Sequence, residues 1–156
     1  MSVDAVLTAI QNSAVAHAIS KSDHLVAAGL QIVHILGFVI LLGSLVLISL
    51  RILGLVFTRT PLEQVARDAI RLIWIGLAIA VISGTLMFVS SPKLYYYNWA
   101  FELKMLLFVV AVALQVTLFR KVATKERSPS FAKISVTLSL VAWFSIGMAG
   151  RAIGFV

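Results

Sequence analysis

The sequence predicts an all-α integral membrane protein: a four-helix bundle with a short N-terminal interfacial helix. Three observations predict it. Of 156 residues, 61% are hydrophobic and 12% charged, whereas soluble domains carry about 25% charged residues. Four apolar stretches stand out at residues 25–50, 72–90, 99–119 and 134–150, and about 20 apolar residues cross a bilayer as a helix. Nine of the 13 lysines and arginines cluster at the first and third connections between these stretches. Little chain remains for a soluble domain, so residues 1–22 form an N-terminal segment and residues 23–156 one transmembrane domain.

The first 19 residues lack the basic leader and apolar core of a cleavable signal, so the first span is expected to act as its own insertion signal. Val3, Val6, Leu7, Ile10, Ala14 and Ile19 recur near helical spacing, which predicts one short amphipathic helix at the interface. The first span carries no formal charge over residues 25–50. Thr60-Pro61-Leu62-Glu63 reads as a capping box with proline at the first helical position, starting the second helix near Pro61. Ser91-Pro92 ends that helix, and Lys93 to Tyr97 are expected to form a loop. Asn98 is the expected cap of the third helix. Ser128-Pro129 repeats the cap-then-proline start for the fourth, where residues 130–133 lengthen a short apolar run. Gly76, Ala80 and Gly84 form a small-residue stripe that admits a neighbouring backbone. Gly37, Gly43, Gly147 and Gly150 offer further close contacts.

The net charge of +7 is explained by topology and does not call for nucleic acid. Arg51, Arg59, Arg67 and Arg71 flank the first connection; Arg120, Lys121, Lys125, Arg127 and Lys133 flank the third. With four spans, those connections share one side. The positive-inside rule makes that side cytoplasmic and puts both termini outside, as in a multi-pass protein of a bacterial inner membrane. No cysteine is present, which excludes disulfides, thiolate metal sites and covalently attached c-type haem.

His34 is the chemical anomaly, because an ionisable group in hydrocarbon is costly and marks a functional site by default. At 1.5 Å of rise per residue it lies roughly 13 Å below Leu25, slightly outside the midplane. Lys104 lies roughly 9 Å below Asn98 on the same rise, coming from the same side. His24, Glu102 and Arg151 fall near that surface, and Met87, Met105 and Met148 all belong to the outer half. Two chemistries suit this set. Haem b takes an imidazole such as His34 on its iron, with Lys104 and Arg151 (and His24 nearby) meeting the propionates. Copper(I) favours the imidazole of His34 and the thioethers of Met87, Met105 and Met148. A third reading is a structural or assembly subunit without cofactor, in which His34 makes a buried hydrogen bond. A hydrolytic triad or carboxylate pair finds no support. The lipid bilayer is the expected partner, with a membrane protein or second copy beside it.

His34-Ile-Leu-Gly37, Gly43, Leu50-Arg51-Ile-Leu-Gly54, Ser83-Gly84 followed by Leu86, Asn98-x-x-Phe101-x-x-Lys104 and Gly150-Arg151-x-x-Gly154 together resemble the DUF6644 group of four-helix bacterial membrane proteins. The likeness runs from about His24 to Phe155. More remotely the chain is similar to copper-resistance D-type domains, in which a tyrosine precedes a lysine by seven residues as Tyr97 precedes Lys104. It is also similar to HemJ-type membrane proteins, which bind haem b through a first-helix histidine. That resemblance implies roles for His34 and Lys104. Two departures from the group are Ser49, where aspartate is common, and Arg120, where a histidine is often found.

Overall fold

A computed structural model describes residues 2–21, 24–123 and 129–155, with side chains for 2–19, 21, 25–117 and 130–155. Seven helices are present among the described residues: α1 Val3–Gln11, α2 Ala14–Ser20, α3 His24–Ile52, α4 Leu62–Ser90, α5 Pro92–Tyr96, α6 Trp99–Ala123 and α7 Pro129–Ala152. Four of them, α3, α4, α6 and α7, are long and apolar enough to cross a membrane. Only 17–33% of each apolar window is buried inside the bundle, so most of that hydrocarbon surface has to be covered by lipid.

The spans alternate in direction. One end of the bundle, here the terminal end, carries α1, α2, α5 and the end of α7; the other carries the connection after α3, the end of α6 and the start of α7. The tightest contact is between α3 and α4. A Cβ on Gly76 would meet Gly37 O and Leu41 N at 2.6 Å, and one on Gly37 would meet Ala80 N at 2.8 Å. The small-residue stripe therefore packs α4 on α3, as expected. Gly43 does not join it, since a Cβ there would meet nothing within 4 Å; that glycine faces outward.

α7 packs on α3 and on α6. Phe38 of α3 lies against Gly147 of α7, and its ring stands 6.4 Å from Trp143. Leu41, Leu45, Ile73, Ala111, Trp143 and Ile146 form the buried core around this junction. Gln115, Ser139 and Trp143 are buried with them, and Gln115 Oε1 accepts from Ser139 Oγ at 2.9 Å and Trp143 Nε1 at 3.3 Å. Among the described residues, no Cα of α6 comes within 8 Å of α3 or α4, so α6 reaches them through side chains alone.

Several local expectations need correction. The N-terminal segment is two helices, because Ser13 caps a new start: its Oγ accepts from Ala16 N at 3.3 Å, as Ser2 does for Ala5. Leu7 and Ala16 are the buried anchors of this pair, which rests on α4, α5 and α3. The capping box before α4 does not form. Pro61 itself is the N-cap, without a side-chain hydrogen bond, and the Thr60 carbonyl accepts from Arg51 Nη2 at 2.8 Å. The expected loop after Ser91 instead holds α5, since Pro92 occupies the first helical position, where its missing N–H costs nothing. Asn98 caps α6 as expected, its Oδ1 accepting from Ala100 N at 3.0 Å and Phe101 N at 3.2 Å. Its amide also donates to Ile153 O at 3.2 Å, tying α6 to the end of α7. The Ser128 cap and the side chains of Arg120, Lys121, Lys125 and Arg127 fall outside the described residues.

Candidate functional site

Ser83, the Ala80 carbonyl and Lys104 converge on His34. Its Nδ1 lies 2.8 Å from Ala80 O and 3.2 Å from Ser83 Oγ. Ser83 Oγ donates to Ile79 O at 2.6 Å, so its oxygen is free to accept. The network therefore assigns the proton to Nδ1, which donates to the Ala80 carbonyl. Nε2 is left with its lone pair, and Lys104 Nζ stands 3.4 Å away, at the long end of a hydrogen bond. The pair spans the gap between α3 and α6 that no backbone contact closes.

Two glycines make this arrangement possible. A Cβ on Gly84 would come within 3.0 Å of His34 Cε1, and one on Gly150 within 3.3 Å of Lys104 Nζ. The imidazole thus lies on the bare backbone of α4, and the lysine stem lies along α7. Aromatic side chains bound the pair lengthwise. Toward the terminal end, Phe88 and Phe101 stack at 5.6 Å and Tyr95 tilts against both. Toward the middle, Phe38 and Trp143 lead into the apolar core.

The other expected site residues disperse. Arg151 is exposed, with its guanidinium 4.8 Å from the centre of the Phe155 ring, and is not brought onto the pair. Met148 is 74% exposed and Met105 43%, so these thioethers face the bilayer while Lys104, one residue before Met105, faces inward. Met87 is half-buried. His24 begins α3, and its side chain falls outside the described residues. No group of three His, Asp or Glu side chains among the described residues is placed to hold a metal. Ser83, Gly84, Gly150 and the Ala80 carbonyl were not expected as site members. Ser83-Gly84 and Gly150 do appear in the sequence motifs, but the carbonyl leaves no sequence signal.

Outside the spans, Tyr97 donates to Asp4 Oδ1 at 2.7 Å. That hydrogen bond, more than its surroundings, holds the phenol above its ordinary range, whereas burial raises Tyr95. The contact fastens α1 to the end of α5.

For haem, the fit is limited to one axial position. An imidazole whose Nδ1–H is committed to a carbonyl presents a basic, oriented Nε2, the arrangement found around metal-bound histidines. Lys104 occupies the space beside Nε2, so a ligand there has to displace the amine.

The fold and the half-buried His34–Lys104 pair define a four-span helical membrane protein with a polar pair in one half of the bundle. The chain belongs to DUF6644, a family of unknown function whose model matches residues 11–156. No curated protein and no solved structure matches it significantly.

Proposed function

We propose that the protein binds haem b in its terminal-end half through His34 Nε2 and serves an electron-transfer or redox role in a bacterial inner membrane, both termini outside. The observation that carries this reading is the 2.8 Å contact of His34 Nδ1 with the Ala80 carbonyl, which fixes the tautomer and orients Nε2 as a ligand. Bound haem supplies a one-electron centre. Lys104, once displaced from Nε2, is the nearest cation for a propionate, and Phe88, Phe101 and Phe38 keep water from the site. The redox role requires a partner in the membrane, in a larger complex or as a second copy.

The test is the visible spectrum of the purified protein, oxidised and dithionite-reduced, beside that of His34→Ala. A Soret band that shifts on reduction and vanishes in the variant supports the reading; colourless wild-type protein refutes it. Colourless protein with stoichiometric copper would favour the copper reading, although Met105 and Met148 of its four expected ligands are exposed. A second reading is favoured by a specific observation: both nitrogens of His34 already have partners. On that reading the pair is a cofactor-free tie between α3 and α6, and Lys104→Met lowers stability with no spectral change.

A further inference from the structure

A groove of about 870 Å³ runs along the outside of α6 and α7, within the roughly 300–1,000 Å³ typical of ligand pockets. Its base is shallow because Ala100 and Ala149 are small, and its walls include Trp99, Leu107 and Met148. It begins at Trp99 and Ala152 on the terminal end and follows α7 down to Thr137, roughly 22 Å at 1.5 Å per residue. The two hydroxyls in the lining are already committed, Ser145 to Val141 O and Thr137 to Lys133 O. Below its rim the groove is therefore hydrocarbon throughout.

The rim is different. Arg151 lies between the groove residues Met148 and Ala152, is exposed, and has only the Phe155 ring as a described neighbour for its guanidinium. Trp99, which lines the groove with Ala152 at this end, is 60% exposed, where an indole suits the headgroup level. We propose that this groove binds an anionic phospholipid, with an acyl chain between α6 and α7 and the phosphate on Arg151. One cationic rim above an apolar trough matches a head and a tail. A transmembrane helix of a partner would need a trough running to the far end of the bundle, but on α6 the lining stops at Leu107, roughly 12 Å below Trp99. The inference is independent of what His34 holds.

The test uses full-length protein carrying Trp74→Phe in phosphatidylcholine nanodiscs, with a minor share of lipid brominated on its acyl chains. Trp99 then reports the groove, because Trp143 is buried. Brominated phosphatidylglycerol is expected to quench more strongly than the same share of brominated phosphatidylcholine, reflecting about fivefold enrichment for one arginine. Arg151→Gln is expected to abolish the excess, and Lys93→Gln, an exposed cation at the same end, to preserve it. Equal quenching by the two lipids overturns the proposal. So does an excess that survives Arg151→Gln or is lost equally in Lys93→Gln. Disulfide formation between copies through Val141→Cys would assign the groove to a second copy and overturn it as well.

Discussion

Gly76→Ala places one methyl group at the tightest contact of the bundle. The new Cβ meets Gly37 O and Leu41 N at 2.6 Å, against the 3.4 Å at which ordinary contact begins. Both obstacles are backbone atoms of α3, so no side chain can turn aside and the helix itself has to retreat. Overpacking of this kind costs about 1–3 kcal/mol, while replacing glycine inside a helix returns about 0.8–1.0 kcal/mol. The net expectation is a loss of up to about 2 kcal/mol. Gly43→Ala on α3 is the matched control, since its methyl group meets nothing within 4 Å. It should be neutral or gain up to about 1 kcal/mol from helix propensity. The assay is reversible unfolding in mixed micelles titrated with dodecyl sulfate, followed by circular dichroism. If Gly76→Ala unfolds no earlier than Gly43→Ala, the α3–α4 crossing does not rest on these glycines.

Three further outcomes follow from single contacts. Gln115→Leu leaves Ser139 Oγ and Trp143 Nε1 without their shared acceptor and should cost about 1–3 kcal/mol in the same titration; an unchanged midpoint contradicts that network. Asn98→Ala removes the cap of α6 and its bond to Ile153. It should cost about 0.5–2 kcal/mol, with faster amide exchange confined to the first turn of α6. Tyr97 is raised chiefly by its hydrogen bond to Asp4, so that bond's contribution is complete below about pH 10, the ordinary tyrosine value, and is lost as pH climbs through the raised one. In a Tyr95→Phe, Tyr96→Phe background, Asp4→Asn should bring the phenolate absorbance transition back toward the ordinary range, and an unmoved transition rules the bond out.

The spans could be read from composition because hydrocarbon length sets helix length, and α3, α4, α6 and α7 match the four apolar stretches. Helix rise alone put His34 and Lys104 at similar depth, and the structure joins them. What escaped was mostly a matter of rotation. Lys104 faces inward, so Met105, about 100° further round the helix, faces lipid; applying that turn to the sequence would have separated Met105 from the histidine. Local competition hid the rest. Ser13 offers a cap in the middle of an amphipathic pattern and divides it into α1 and α2. Pro92 ends α4 and equally starts α5. The carbonyl that orients His34 belongs to Ala80, whose side chain says nothing about it.

The central claim is that His34 Nε2 is a ligand, and the most direct measurement is chemical rescue of its absence. His34→Gly removes the imidazole, and free imidazole is then added to the purified variant. The account predicts a Soret band in the wild type, its loss in His34→Gly, and its return with imidazole. A variant that keeps the band unaided, or wild-type protein that never shows one, would contradict it.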